Sequence, residues 1–311
     1  MHAAKIYAVP QQPPLQAAPI LKWAGGKTQL LPVLEQNFPE ALLSGQVDTY
    51  IEPFVGGAAL FFHLASHYDI KKAYLFDINP ELILLYNTLK LHPDALIRHL
   101  DSIEKQFLPL DDSKRRDFFE AVRNHYNTTR QENSETAHPL RAAQTIFLNR
   151  TCFNGLFRVN SRGGFNVPFG RYTNPRILFE DKLRAASAAL QIADIRLADF
   201  SLVGDIANRN TFIYYDPPYR PISQTAQFTA YSKEAFDDEE QRRLSTLYRD
   251  LHARDALQLL SNSDPTNYID DPFFDVLYEG FSILRVDASR RINSKATSRG
   301  VVREILIKNY A

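Results

Sequence analysis

A chain of 311 residues, 44% apolar and 23% charged with zero net charge, has the make-up of a globular protein with one large domain or two smaller ones. Its apolar runs fall far short of a membrane span and no leader-like segment is visible, so a cytoplasmic protein is expected. A single cysteine, Cys152, excludes an intramolecular disulfide and a cysteine metal cluster.

Charge is spread unevenly along the chain. Residues 141–184 hold eight Lys and Arg (Arg141, Arg150, Arg158, Arg162, Arg171, Arg176, Lys182, Arg184) against Glu180 and Asp181, and residues 285–308 hold seven against two. Two basic stretches on a neutral chain fit a polyanion bound on one side; solvated faces are the alternative.

In chain order, residues 1–18 are rich in Ala, Gln and Pro without periodicity and read as a loose N-terminal arm. Lys22-Trp23-Ala24-Gly25-Gly26-Lys27-Thr28 has the look of a phosphate loop, but that motif needs glycine where Leu21 stands, so a nucleoside-triphosphatase is set aside. A strand over Val47–Pro53 turns at Gly56-Gly57 into a helix from Ala58 to His67. A second strand, Ala73–Phe76, ends in Asp77-Ile78-Asn79-Pro80 and leads to a helix through Leu91. Residues 93–149 read as two or three amphipathic helices, including Arg115–Tyr126 and Leu140–Leu148. An irregular loop rich in Gly, Asn, Arg and Phe follows over Thr151–Tyr172. Strands return at Ile192–Phe200 and Phe212–Tyr215, then a helix at Asp237–Ala253, a strand at Ala256–Ser261 and a final pair at Ile283–Val286 and Glu304–Ile307. The pattern predicts an α/β fold: a doubly wound, Rossmann-like sheet over residues 19–90 and 179–311, interrupted by a mainly helical insert at 91–178.

Open parallel sheets bind ligands beyond the carboxyl ends of their strands, and three motifs fall there. Glu52-Pro53-Phe54-Val55-Gly56-Gly57-Ala58 joins strand to helix, where glycine lets the backbone approach a ligand and helix amides face it. Asp77 is placed either to accept from ribose hydroxyls or to cap the helix starting at Pro80. The two motifs in that order suit an adenosine-containing cofactor. Asp216-Pro217-Pro218-Tyr219 stops the buried run Thr211–Tyr215, since prolines cannot continue the ladder. A carboxylate, free backbone carbonyls and an aromatic ring at one turn suit the exocyclic amine of a nucleobase. Cys152 lacks the preceding proline and the nearby base of a covalent nucleophile. The eight histidines show no ligand spacing, and no metal is expected.

Lys22–Lys27, Glu52–Gly57, Phe76–Asn79 and Asp216–Tyr219, in that order, resemble the Dam-type family of DNA adenine-N6 methyltransferases. The likeness continues through Asn149-Arg150, Phe153-Asn154-Gly155-Leu156, Arg158, Arg162–Tyr172, Phe228–Tyr231 and Arg290–Lys295. One departure is Gly57-Ala58, where the family often has Ala-Gly; the glycine that remains is expected to serve the turn.

The resemblance implies an enzyme that uses S-adenosylmethionine, releases S-adenosylhomocysteine and needs no metal. It implies a cofactor site lined by Trp23, Lys27, Asp77 and Asp216, with Glu52, Phe54 and Gly56 of the glycine turn, and a target-recognition role for the insert. Double-stranded DNA is the implied partner, GATC the sequence that many close relatives modify, and the prokaryotic or phage-type nucleoid the setting; no obligatory protein partner is evident. Lys22, Phe153, Asn154, Arg158, Pro168 and Arg171 become the DNA-facing residues. Arg158 then reads a guanine, with a phosphate contact as the alternative; Phe153 fills the gap left by a flipped base, with loop packing as the alternative. Asp216 and the Pro217 carbonyl would accept the two N–H bonds of the adenine amine while Tyr219 stacks on its ring. Other DNA sequences, an RNA substrate, a catalytically silent regulator, and restriction–modification against a solitary role all stay open. Cytosine-N4 enzymes usually carry Ser, and RNA enzymes Asn, where this chain has Asp216.

Overall fold

Seven strands form one sheet: β1 (Thr49–Glu52), β2 (Lys72–Asp77), β3 (Ala193–Leu197), β4 (Thr211–Tyr215), β5 (Leu257–Ser263), β6 (Ser282–Ser289) and β7 (Val301–Lys308). They are seen in a computed structural model that describes residues 16–23, 25–130, 134–220, 236–265, 271–289 and 301–311. Most of the expected arm, Ala24, and the motifs Phe228–Tyr231 and Arg290–Lys295 lie outside the described residues. The strand order is β3-β2-β1-β4-β5-β7-β6. The first five run parallel, while β7 lies antiparallel between β5 and β6.

The helices are α1 (Leu31–Glu35), α2 (Glu40–Leu43), α3 (Ala59–His67), α4 (Pro80–Leu91), α5 (Pro93–Phe107), α6 (Asp112–Thr128), α7 (His138–Thr151), α8 (Glu180–Ala189), α9 (Asp238–His252) and α10 (Phe273–Leu277). Side chains alternate across a pleated sheet, and here the alternation feeds two cores. Tyr50, Leu75, Phe212, Tyr214, Leu259 and Leu306 join the core that contains residues of α3, α4 and α8. Ile51, Phe76, Ile213, Tyr215, Leu260, Ile305 and Ile307 join the core built with α9 and α10. The doubly wound arrangement follows from strands such as β4, buried at all five positions.

Strand boundaries differ from expectation, most of all in β3, β6 and β7. The run expected to stay extended to Phe200 leaves the sheet after Leu197, because Asp199 accepts the Ser201 N–H at 3.0 Å and caps a 3-10 turn over Phe200–Asp205. The last two strands are eight residues each, longer than their apolar centres, since both carry charged residues such as Arg285, Asp287, Arg303 and Glu304 within the ladder.

Residues 91–178, expected to form an insert, contain α5, α6 and α7. Leu96, Leu100, Ile103 and Phe107 recur at helical spacing and are all buried, and the Phe107 ring meets Phe147 of α7 edge-on with centroids 5.1 Å apart. This packing is continuous with Leu82, Leu85 and Leu89 of α4, so the helices of residues 91–178 and the sheet share one core. Arg141 of α7 ties them further: its Nε and Nη2 donate to the two Glu81 oxygens at 2.9 and 2.5 Å, and its Nη1 donates to the Tyr126 carbonyl at 2.9 Å. Both side chains are buried, so losing one strands the other's charge.

At the end of β1, Glu52 is only 3% exposed and accepts the Tyr50 hydroxyl at 3.0 Å. Burial pushes its carboxyl up to about 8, with the Asp216 charge adding and the Tyr50 and Phe61 donors opposing. A folded-state value above the unfolded one makes the native state hold the extra proton. The associated stability is full below the unfolded value and is lost as pH rises toward 8.

Two predictions follow from these contacts. Arg141→Ala should lower folding stability by about 3–5 kcal/mol in urea titrations, whereas Arg141→Met with Glu81→Leu, which removes both charges, should lose far less. Glu52→Gln keeps an acceptor for Tyr50 and removes the proton linkage. Between pH 5 and 8 the urea midpoint of the parent should therefore fall more steeply than that of the variant; parallel slopes would mean that Glu52 is ionised in the folded state.

Candidate active site

β2, β1, β4 and β5 are parallel neighbours, so the residues that follow them share one edge, and the strand order reverses between β1 and β4. That reversal opens a crevice flanked by the turn after β1 and the turn after β4.

The first turn is pinned from both sides. Asp77 at the end of β2 accepts the Gly56 N–H on Oδ2 at 3.0 Å and the Asn79 N–H on Oδ1 at 2.9 Å. The Gly56 carbonyl accepts the Tyr86 hydroxyl from α4 at 2.7 Å. Asn79, not Asp77, caps α4, accepting the Glu81 N–H at 3.0 Å. Burial raises the Asp77 carboxyl above its usual range, and the Gly56 and Asn79 donors pull it back. The backbone is left-handed at Gly56, with φ of +42°. A Cβ there would meet the Trp23 Nε1 at 2.8 Å, so only glycine lets the indole lie against the turn. Ala58 also sits at φ +54°, so the glycine retained at 57 does not occupy the left-handed position and an alanine bears that strain. Phe54 stacks instead with Phe200 and Phe236, centroids 5.6 and 5.4 Å away, forming an aromatic wall on the α9 side.

The second turn carries the ion pair. Lys27, 5% exposed, places its Nζ 2.8 Å from Asp216 Oδ1 and donates to the Tyr219 hydroxyl at 2.7 Å and the Gly25 carbonyl at 3.1 Å. Ser261 of β5 also donates to Asp216 Oδ1, at 3.2 Å, and its Oγ lies 2.8 Å from the Tyr214 hydroxyl. Both contacts fall on Oδ1. Among the described residues none hydrogen-bonds Oδ2 or the Pro217 carbonyl. Burial raises the Asp216 carboxyl and Lys27 opposes that shift. Burial, with Asp216 and Glu304 nearby, also holds the Tyr219 phenol in its neutral form.

The loop from Cys152 to Tyr172 borders this crevice. It has little regular structure beyond the bridges Cys152–Phe169 and Val159–Phe165, yet it is firmly braced. Asn127 of α6 accepts the Phe165 N–H at 2.8 Å and donates to the Phe165 carbonyl at 3.0 Å. Buried Asn149 accepts the Lys22 N–H at 2.8 Å and donates to the carbonyls of Lys22, at 2.8 Å, and Gly155, at 2.9 Å. The Lys22 stem lies over Gly155, and its ammonium stands 4.8 Å from the Tyr172 ring centre. Phe153 is 48% exposed, its N–H bound to the Pro168 carbonyl at 2.8 Å. Asn154 and Arg171 have positive φ and are exposed with Pro168 and Arg158; the Arg158 Nε donates to Asn166 Oδ1 at 2.8 Å. Trp23 joins this side to the glycine turn through Phe157, ring centroids 5.5 Å apart. Cys152 is buried and its thiol is pushed up to about 12, which keeps it protonated and unreactive at neutral pH.

The structure thus gathers Trp23, Lys27, Gly56, Asp77, Asp216, Pro217 and Tyr219 around one crevice, with Glu52 buried behind it and Phe54 on its aromatic wall. Lys22, Phe153, Asn154, Pro168 and Arg171 cluster where the loop meets Lys22, and Arg158 stands further along the loop. Sequence reasoning missed Ser261, Asn127 and Glu304, whose partners are distant in the chain, and listed Asn149 only as part of a motif.

The matches to known proteins agree with this geometry. Residues 23–292 match the family of D12 class N6 adenine-specific DNA methyltransferases. A Type II methyltransferase of Methanocaldococcus jannaschii is 46% identical over 297 residues, spanning 95% of this chain and 100% of its own length. A Type II methyltransferase of Lactococcus lactis subsp. cremoris is 35% identical, spanning 96% of this chain and 98% of its own. The DNA adenine methylase of Haemophilus influenzae is 34% identical, spanning 95% and 94%. With that coverage, the chain belongs to the D12 class of N6 adenine-specific DNA methyltransferases.

Proposed function

We propose that the protein methylates N6 of an adenine rotated out of duplex DNA, with GATC as its target and S-adenosylmethionine as donor. The observation that carries this reading is Asp216: one oxygen is held by Lys27 and Ser261, and the other faces no described donor beside the free Pro217 carbonyl.

The crevice fits a cationic nucleoside. Asp77 and Asp216 border it with Glu304 and Glu52 close behind, against Lys27 among the described residues, and burial, with repulsion from neighbouring carboxylates at Glu52 and Asp216, raises the carboxyls of Glu52, Asp77 and Asp216. Glycine at 56 and 57 lets the Trp23 indole pack directly against the turn that borders the crevice. When bound, S-adenosylmethionine supplies a methyl group already activated on a positively charged sulfur. The protein's own part is positioning. Asp216 Oδ2 and the Pro217 carbonyl accept the two N6 hydrogens, drawing the amine lone pair out of conjugation and toward the methyl group. Tyr219, fixed by Lys27, holds the base by stacking. Methylation of N6 would release one of its protons, and Asp216, placed to hydrogen-bond that amine, would be the first acceptor.

A polyanion partner is supported by the basic residues around the loop. Arg150, Arg176 and Lys182 gather about the Phe179 ring at 4.3, 4.9 and 6.0 Å, and burial together with neighbouring positive charge lowers Arg150 to about 10. Exposed Phe153 suits the space vacated by a rotated base, at an unstacking cost of a few kcal/mol, and Arg158, steadied by Asn166, suits the two acceptors of guanine. The Type II names of two relatives support a place beside a restriction endonuclease of matching sequence.

Transfer of radiolabel from S-adenosylmethionine to a duplex containing GATC, with none to a scrambled duplex, tests the reading; label in both would discard the site and keep the enzyme. Asp216→Ala should abolish transfer while the fluorescence of Trp23, the chain's only tryptophan, still reports cofactor binding and the duplex is still retained. Turnover surviving that change would remove Asp216 from the chemistry. Arg158→Ala should reduce discrimination at one base pair by about 1–3 kcal/mol, measured as the ratio of kcat/KM on matched and mismatched duplexes. A uniform loss of affinity on every sequence would make Arg158 a phosphate contact.

A further inference from the structure

Lys27 does not answer Asp216 alone. Glu304 of β7, 8% exposed, brings its Oε2 to 3.9 Å from the same ammonium, and that oxygen is buried near the Tyr219 phenol, with no hydrogen bond of good geometry among the described residues. The three protons of Lys27 are already directed at Asp216, Tyr219 and Gly25. Glu304 is therefore held by charge and not by a hydrogen bond of its own to Lys27. A buried carboxylate in that condition is unfavourable for folding, so something other than stability accounts for it. Among the described residues, two carboxylates on one ammonium leave the transfer site with a net negative charge. An ordinary one-to-one ion pair would leave it neutral.

We propose that Glu304 is a positioning residue that keeps the transfer site net negative, and that this charge makes the site prefer the cationic methyl donor over the spent, uncharged thioether. The inference rests on reading Asp216 as the group that accepts the adenine amine. S-adenosylmethionine and S-adenosylhomocysteine differ by one methyl group and one positive charge on sulfur, so a site must tell them apart by charge or by the space of a methyl group. Glu304 supplies the first means. It also leaves Asp216 a stronger acceptor, since Lys27 is shared between two carboxylates. Within a water-poor crevice, a unit charge several ångströms away changes affinity by about tenfold or more. The other groups facing Asp216 are Lys27, Ser261, Tyr219, Tyr214, Tyr50 and Glu52, and of these Lys27, Tyr219 and Tyr214 also feel the Glu304 charge.

The test is the pair of dissociation constants for S-adenosylmethionine and S-adenosylhomocysteine, read from Trp23 fluorescence in the parent, Glu304→Gln and Glu304→Asp proteins. Glu304→Gln keeps the shape and removes the charge, and should weaken donor binding by about tenfold while leaving the thioether within twofold. Single-turnover transfer at saturating donor should fall with little change in KM for the duplex. Glu304→Asp keeps the charge and should keep the parent's ratio of the two constants, even where its fold is less stable. Equal changes in both constants, or no change in either, would overturn the proposal. Asp216→Ala separates the two readings: if it is inactive and Glu304→Gln behaves as the parent, only the role of Glu304 falls.

Discussion

A single buried ammonium holds the candidate site together. Lys27 reaches from the segment before α1 across to the turn after β4, and its contacts with Gly25, Asp216, Tyr219 and Glu304 join three separate parts of the chain. A cation this far from solvent persists only if carboxylates accompany it, and those carboxylates tolerate burial only because the cation is there. The consequence is geometric. Asp216 cannot rotate without abandoning both Lys27 and Ser261, so one of its oxygens is fixed in use and the other fixed in direction. Pre-set orientation of this kind is what a transfer reaction needs from a protein that takes no covalent part in it.

The glycine turn and the 152–172 loop are linked by direct contacts as well as by sequence order. Trp23 lies against the Gly56-Gly57 turn and approaches Phe157 of the 152–172 loop, ring centroids 5.5 Å apart. One residue earlier, the Lys22 backbone exchanges two hydrogen bonds with Asn149, which also holds the Gly155 carbonyl. A shift of the loop therefore pulls on the segment that carries Trp23 and Lys27. Asn127, Asn160 and Arg130 hold the rest of the loop through its own backbone, so an irregular stretch is nonetheless built before any partner arrives. Side-chain amides replace ladder partners here, which is why the loop has shape without secondary structure.

Legibility in the sequence followed locality. β4 and its Asp216 turn were plain because a strand buried on both faces is a continuous apolar run, and two prolines mark its end. The pairing of the Gly56 turn with Asp77 was readable as a spacing, although not as the hydrogen bond that fixes the turn. The left-handed backbone at Ala58 was not readable, since glycine stands one position earlier and composition alone does not say which residue takes the strained torsion. Ser261 and Glu304 escaped notice for a different reason. Each is an unremarkable polar residue within a strand, and its meaning comes from a neighbour 45 positions away in one case and from Lys27, at the opposite end of the chain, in the other. β6 and β7 were found at their apolar centres and shortened at their ends because charged residues interrupt the pattern that marks a strand.

The zero net charge of the chain hides a division that the chemistry requires. On the proposed reading, an amine acceptor and a cationic donor call for acidic groups, and Asp77, Asp216 and Glu304 would supply them along one sheet edge. A polyanionic substrate calls for the opposite sign, and Lys22, Arg150, Arg158, Arg171 and Arg176 lie in or around the loop beside that edge. Placed without separation, the two sets would neutralise each other. Burial keeps them apart in effect: the acids sit in the crevice, where field lines are poorly screened, while Arg158 and Arg171 face solvent, where salt attenuates them. Substrate affinity on this account weakens with salt, whereas the preference for a charged donor, set inside the crevice, weakens far less.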